Sequence, residues 1–483
     1  MAEYVSTPQS HCQWGGARGD ITPPEGIYHR MWGAATHDRA AGTHRPLTAT
    51  VMVFDDNSEA GGRHAWVALD HCLLGVEELQ PILQAIESNH GIPPDAVTVS
   101  FSHTHAAGLL GHDRRELPGG ELIAGYLETV AETVAKLVGD AIRGLQSVKI
   151  CYGYGRCDLA ANRDYWDATS QQFVCGYNPV GTADDTVLVG RITNVQGDIV
   201  GTLVNYACHP TTLAWDNQLV SPDYPGAMRE VIENATGAPC MFIQGAAGDL
   251  GPREGFVGDV DVADRNGRQL GYAALSALTA LPAAGQQFEY VGPVVSGATL
   301  GTWQHVALSG DAQAACSRWH MKRWQLPLAY RSELSSVETV QEERSDWQRQ
   351  QAEAEAAGET DRARDCHAQV ERRTRVLGRL ENLPAGTTYP YEIRMWRIGD
   401  AIWLAVQGEP YNVLQQAIRS RFPDVVIVVA TITGAWGASY LPPADCYGRG
   451  IYQESIAVLE PGALEQVIEE ISVEIEQCLS ESS

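Results

Sequence analysis

The chain has 483 residues, 44% of them hydrophobic, with 48 glycines and 24 prolines, a composition that excludes a disordered or fibrous protein. Its formal net charge of −26 argues against a nucleic-acid or anionic-membrane partner, since both require clustered Lys and Arg. The balance favours a small-molecule substrate that is neutral, or a site that carries its own positive charge from a metal or an arginine.

The opening Met1-Ala2-Glu3-Tyr4-Val5-Ser6 has no basic region followed by an apolar one, so no secretory signal is expected. No run of 18 apolar residues is present to cross a bilayer. The 11 cysteines are scattered without Cys-x-x-Cys spacing, and Cys72, Cys208 and Cys240 lie in apolar contexts, where free thiols are ordinary. The expectation is a reduced, cytoplasmic protein without stable membrane insertion.

In chain order, Asp20-Ile21-Thr22-Pro23-Pro24 with Gly26 reads as a turn-rich opening. Residues 47–54 and 65–69 read as strands joined by the polar loop Asp55-Asp56-Asn57-Ser58. The second strand ends at Asp70-His71, and whether these build a second metal site with His37 and Asp38 stays open. Residues 77–88 carry Leu79, Ile82, Leu83 and Ile86 at helical spacing. Ala96-Val97-Thr98-Val99 then reads as a buried strand running into Ser102-His103-Thr104-His105 and the small residues Ala106-Ala107-Gly108. In extended backbone, alternate side chains share a face, so His103 and His105 would stand side by side. That suits one metal ligand and one neighbouring acid or base, without saying which is which. An amphipathic helix over 121–145 completes a strand–helix alternation, the cadence of an α/β protein.

Residues 151–196 are less regular and rich in aromatics, with Asn162-Arg163-Asp164-Tyr165-Trp166 in an expected loop. A strand over 199–207 ends at His209-Pro210, where the proline stops regular structure and leaves the histidine on a strand-end loop. This second histidine, delivered like the first, strengthens the metal reading. Ser221-Pro222-Asp223-Tyr224-Pro225-Gly226 leads into a helix to 235. An apolar strand over 239–243 then feeds Gly245-Ala246-Ala247-Gly248-Asp249-Leu250-Gly251-Pro252. Asp249 is placed to orient a histidine or a water, and the absence of Gly-Lys-Ser/Thr excludes a P-loop.

Residues 311–382 are charged and rich in Ala, Glu, Arg and Gln, with a break at Gly358, and read as a solvated helical hairpin for packing or homo-oligomer contacts. Strands over 402–406 and 425–432 follow, leading to Gly408-Glu409 and to Tyr440, Tyr447 and Tyr452, with a C-terminal amphipathic helix from 462. The expected organisation is one large mixed α/β catalytic domain with metal ligands at strand ends: its first part over 1–310, a charged helical insertion over 311–385, and a return to the core over 386–483.

These motifs together resemble the catalytic domain of the neutral, zinc-dependent ceramidase family: Ser102-His103-Thr104-His105, Asn162-Arg163, His209-Pro210, Gly248-Asp249-Leu250-Gly251-Pro252, Gly408-Glu409, and tyrosines 440, 447 and 452. The resemblance implies Zn²⁺ held by His103, His209, Glu409 and Tyr440, with His105, Arg163 and Tyr452 lining the reacting carbonyl. Two imidazoles, a carboxylate and a phenolate suit zinc, and an open coordination position would activate water near neutral pH. Tyr452 and Arg163 could then stabilise an oxyanion.

The chain departs from that family where Gly251 replaces the serine of Gly-Asp-Val-Ser-Pro, where Ala106-Ala107-Gly108 replaces Ser-Gly-Pro, and in leaving no room after Tyr452 for an immunoglobulin-like domain. The expectation is a divergent zinc hydrolase acting on an amide (N-acyl) or related bond of a polar substrate other than ceramide. A carbohydrate-directed hydrolase, esterase or lactonase on the same centre is the alternative, with a non-catalytic binding protein that retains zinc behind it.

Overall fold

The Thr48–Asp55 strand buries six consecutive residues, Ala49 to Phe54, so both of its faces must be covered. A computed structural model, which describes residues 4–55 and 62–481, shows how. Residues 56–58 of the expected polar loop lie outside the described residues.

Thr48–Asp55 belongs to an eight-stranded mixed sheet. Its spatial order is Cys240–Gln244, Ile199–Tyr206, Thr186–Asn194, Gln146–Arg156, Gln9–Asp20, Thr48–Asp55, Arg63–Leu69 and Val97–Phe101. A second sheet orders Trp319–Ala329, Thr388–Ile398, Ala401–Val406 and Val426–Ala430. Between the sheets lies an aromatic core in which Trp66 meets Trp396 and Trp403 edge-on, with ring centroids 5.0 and 5.5 Å apart. Edge-to-face pairs of this kind add about 0.5–1.5 kcal/mol each beyond burial. Helices Val76–His90 and Ile123–Arg143 cover part of the outer face of the larger sheet, and Tyr224–Thr236 and Val260–Ala280 cover the rest. Helices Val413–Arg421 and Ala463–Ser480 cover the smaller sheet. The layers therefore run helix, sheet, sheet, helix, the large mixed α/β domain expected.

Three parallel strand pairs position the site. Each is joined by a helix: Arg63–Leu69 to Val97–Phe101 through Val76–His90, Ile199–Tyr206 to Cys240–Gln244 through Tyr224–Thr236, and Ala401–Val406 to Val426–Ala430 through Val413–Arg421. Parallel strands end on the same side, and ligands of such sheets bind beyond those carboxyl ends. His103, His209, Asp249 and Glu409 each lie two to five residues past such an end.

Several elements differ from expectation. Gln9–Asp20 is a twelve-residue strand, although Trp14-Gly15-Gly16-Ala17 shows no apolar alternation. Its glycines serve close approach instead: a Cβ on Gly15 would lie 2.0 Å from the Ala141 carbonyl oxygen of the overlying helix. The expected irregular stretch 151–196 is largely strand, and Asn162 and Asp164 belong to strands Ala160–Asn162 and Asp164–Asp167. Residues Trp319–Ala329, assigned to the front of the charged insertion, pair with Thr388–Ile398 along all 11 positions. The charged tract itself folds as helices Val337–Ala357 and Thr360–Glu381, turned at Gly358 with φ 73°. Among the described residues, no helix is long and apolar enough to cross a membrane.

Candidate metal centre

The Val97–Phe101 strand does not stay extended through its histidines. His103 takes φ 65°, and His105 opens a short 3₁₀ turn capped by the Thr104 hydroxyl, so the expected side-by-side placement on one strand face is not what joins them. Left-handed backbone at a non-glycine residue costs of order 1–3 kcal/mol and persists only where surroundings impose it. Here the His103 amide donates to the His71 carbonyl at 2.9 Å, and its Nδ1 donates to the Cys72 carbonyl at 2.7 Å.

His209 is held in the same manner, with Nδ1 donating to the Ala247 carbonyl at 3.0 Å. A carbonyl only accepts, so each Nδ1 carries the proton and each Nε2 presents a lone pair. Those two Nε2 atoms face each other at 3.0 Å. Glu409 Oε2 stands 3.4 Å from the first and 3.1 Å from the second, and no hydrogen-bond donor reaches it. Glu409 is placed by Gly408, whose φ of 68° and lack of a Cβ let it sit against Ser439, where a Cβ would come within 2.4 Å of the carbonyl oxygen.

Three buried acceptors thus converge on one point. Leaving a carboxylate buried and unpaired costs several kcal/mol, so the point demands positive charge. The field says the same. Burial pushes the Glu409 carboxyl up, but His103 and His209 outweigh it and hold the group well below the usual carboxylate range. Burial pushes His103 down, but Cys72 and Glu409 outweigh it and raise the ring well above its ordinary value, so the field draws positive charge to its Nε2, a proton where no cation is bound. Burial, with Arg163 and His103 beside it, holds His209 down at about 4. A divalent cation satisfies all three acceptors at once, and the donor set of two imidazoles and a carboxylate fits one.

Tyr440 joins from the neighbouring chain segment. It pairs in register with Glu409 in a two-residue parallel ladder, and its ring stacks on His209 with centroids 6.4 Å apart. Its hydroxyl accepts from Arg163 Nη2 at 3.0 Å, while burial, opposed by Arg163, pushes the phenol well up. Arg163 is buried and also donates to the Gly248 carbonyl at 2.7 Å, leaving its Nε without a partner. His105 lies at the rim with Nε2 3.4 Å from that of His103 and Nδ1 unpartnered, and burial together with His103 and His209 holds it neutral. Tyr452, 46% exposed, sets its ring 5.9 Å from that of Tyr440. Tyr447 faces away: its hydroxyl donates to the Leu459 carbonyl.

Asp249 is a correction. It touches no histidine; its carboxylate accepts from the Asn412 amide at 2.7 Å and Asn162 Nδ2 at 3.5 Å, latching two loops together, and burial raises it to about 6. The histidines are oriented instead by the carbonyls of Cys72 and Ala247. No sequence signal marks them, because any residue type supplies a carbonyl. Asp70, His71, His37 and Asp38 do not form a second metal set among the described residues. Asp70 is paired with Arg229, His71 donates to Tyr126, His37 meets His29 at 3.0 Å, and Asp38 accepts from Arg30. The thiol of Cys72 lies 3.6 Å from His103 Nδ1, the atom its own carbonyl already engages, and groups with His103 and His105.

Beside the cluster is an aromatic wall that no local sequence pattern marks. Trp32 packs 5.3 Å from His105 and meets Phe256 and Trp215 edge-on at 5.6 and 6.1 Å. At Gly251, an added Cβ would meet nothing nearer than Thr211 Oγ1 at 3.6 Å, so a serine would fit and the position is left open. The Thr211 hydroxyl is buried and unpartnered there.

The chain is thus a mixed α/β protein whose acceptors converge at strand ends as a candidate metal centre. The chain is 24% identical to neutral ceramidase of Drosophila pseudoobscura pseudoobscura over 238 residues, 45% of this chain and 32% of that protein. It is 24% identical to neutral ceramidase B of Dictyostelium discoideum over 288 residues, 54% of this chain and 39% of that protein. The matches thus span well under half the length of these curated relatives. No family model matches the chain. In structure it is similar to neutral ceramidase from Pseudomonas aeruginosa, with TM-score 0.64 at 16% identity over 98% of this chain and 75% of that one. A ceramidase complexed with C2 gives 0.65 at 16%, over 98% and 76%. The chain carries a fold similar to that of the neutral ceramidases, and part of its sequence matches theirs.

Proposed function

We propose that this protein is a zinc-dependent hydrolase that cleaves an amide (N-acyl) bond of a polar substrate other than ceramide. The observation that carries this reading is the convergence of His103 Nε2, His209 Nε2 and Glu409 Oε2, with both Nδ1 atoms tied to carbonyls and no donor between the three. Those residues and Tyr440 would hold the ion. When bound, zinc supplies Lewis acidity that polarises a carbonyl and acidifies water.

The chain's own groups do the rest. Arg163 keeps its charge against the Tyr440 oxygen and leaves Nε free for a substrate oxygen. His105, neutral and with an unpartnered Nδ1, can take a proton and pass it to the leaving nitrogen. Tyr452 brings a phenol to the rim, where it can donate to an oxygen gaining charge. Gly251 offers no nucleophile, so acylation of that loop is unavailable and water is the attacking group. The open space at Gly251 and the Trp32–Trp215–Phe256 wall also support a compact, ring-bearing or polar substrate. The wall is the observation that favours the second reading, a carbohydrate-directed hydrolase, esterase or lactonase, because sugar and lactone rings stack on indoles.

Elemental analysis and a panel of N-acyl, ester and glycoside substrates, with and without chelator, test the proposal. One zinc per chain with nitrogen and oxygen ligation and chelator-sensitive N-acyl hydrolysis is the expected result. Sulfur ligation in the X-ray absorption spectrum, or turnover that survives metal removal, overturns it.

A further inference from the structure

The inserted hairpin does more than extend from the domain. Its second helix, Thr360–Glu381, lies across both margins of the metal cluster. On one side Arg375 donates to the Met31 carbonyl, and Ala368 packs at 3.1 Å from where a Gly33 Cβ would stand, so the helix rests on the segment that carries Trp32. On the other side Arg372 reaches Ser455 Oγ at 3.4 Å, in the short helix that begins at Tyr452. A buried ion pair of Glu371 with Arg114 at 2.8 Å locks the helix to the core.

This helix holds six arginines, and five have side-chain partners: Arg362 with Glu359, Arg364 with Asp365, Arg372 with Ser455, Arg373 with Glu343, and Arg375 with Glu371. Arg379 is the exception, with no hydrogen bond or ion pair to its guanidinium among the described residues and with Nε buried. It stands four residues after Arg375, on the same face of the helix. The ionisable groups around it are Tyr452, Glu409, Arg375 and Tyr440, three of them in the candidate site, and burial pushes its guanidinium down. A half-buried arginine without a counter-ion is costly in a protein of net charge −26, where carboxylates to pair with are abundant.

We propose that Arg379 binds an anionic group of the substrate, so that the site takes acidic N-acyl compounds, such as N-acyl amino acids, in preference to neutral ones. This rests on the hydrolase reading for the bond that is cleaved, but not for the anion. The guanidinium fork matches a carboxylate or phosphate in two parallel hydrogen bonds, and such charge-assisted bonds discriminate strongly against a neutral amide.

The test is calorimetric titration of the full chain, after chelator treatment so that no metal can hold the carboxylate, with N-acetylglycine, N-acetylglycinamide, inorganic phosphate and acetate. N-acetylglycine should bind at least about tenfold tighter than its amide. Arg379→Met should bring the two to parity, and Arg379→Lys should retain part of the preference. Phosphate displacing N-acetylglycine more strongly than acetate does identifies a phosphate-bearing substrate; the reverse identifies a carboxylate. An unchanged preference in Arg379→Met, or no preference in the unaltered protein, overturns the inference. Arg379→Gln repeats the measurement should the Met variant melt early. Binding through Arg379 without turnover of any N-acyl substrate would keep this inference and overturn the hydrolase reading.

Discussion

Two buried polar clusters sit at strand ends, one on the larger sheet alone and one shared with the smaller sheet, built from similar residues and opposite in character. In the first, Asp70 follows the Arg63–Leu69 strand and is saturated: Arg229 donates to both its oxygens at 2.9 and 2.6 Å, and Thr48 adds its amide and hydroxyl. His71 beside it donates to the Tyr126 hydroxyl, whose own proton goes to the Ile21 carbonyl. In the second, His103, His209 and Glu409 aim three lone pairs at one another with no donor. A closed cluster spends its polar groups on holding the fold. An open one holds them ready for something the chain does not contain. What separates the two is whether the hydrogen-bond count closes, because both are buried and both join a carboxylate with histidine.

Breaking each cluster should therefore fail differently. His209→Ala and Glu409→Ala are expected to reduce metal content and hydrolysis together to background while the thermal unfolding transition is retained; full metal occupancy in either variant would remove that residue from the set. Asp70→Ala should leave Arg229 buried and unpaired, costing about 3–5 kcal/mol of stability by chemical denaturation. The surviving folded fraction should still bind metal, and metal loss without destabilisation would mean that Asp70 belongs with the open cluster.

Tyr452→Phe sharpens the comparison at the rim of the open cluster. Removing one donor to a developing oxyanion should lower kcat by roughly 10²–10³ with metal content unchanged. A rate within a factor of about two of the parent would place the phenol outside the reaction.

Asp223 stands between the two cases, a fully buried carboxylate satisfied by the amides of Leu213 and Tyr224 and by Thr212, without a cation. Burial raises it to about 6, above its unfolded value, so its carboxyl is most favourable to the fold when protonated. Its contribution is complete below about pH 4 and declines as pH rises to about 6, by about 3 kcal/mol. The stability difference between the parent and Asp223→Asn, measured by denaturant titration, should fall across that window; a flat difference would show that the carboxylate is paired like Asp70.

Much of the scaffold was legible in the chain. The apolar strands 97–101, 199–206, 240–244 and 401–406 are short, β-branched runs bounded by turn residues, and local pattern suffices for them. The same pattern brought out His103 and His209 as strand-end residues, the resemblance added Glu409, and the structure brings these three together. Gln9–Asp20 escaped because its glycines serve the helix Ile123–Arg143, remote in sequence, and Trp319–Ala329 because its partner strand Thr388–Ile398 lies beyond the whole helical tract. The role expected of Asp249 was misplaced for a similar reason: its partners, Asn412 and Asn162, are remote in sequence and meet only in the fold.

The sequence by itself determined most of the apolar strands and amphipathic helices, the strand-end delivery of two histidines, and the absence of a side chain at Gly251, all of which depend on residue identity and near neighbours. Tertiary structure alone decided which polar groups are satisfied. It ties two Nδ1 atoms to the carbonyls of Cys72 and Ala247, closes Asp70 onto Arg229, builds the Trp32–Trp215–Phe256 wall, and leaves Arg379 without a partner. Hydrogen-bond satisfaction depends on backbone atoms and distant side chains that carry no local signal, and it is this satisfaction that distinguishes a structural polar cluster from a site.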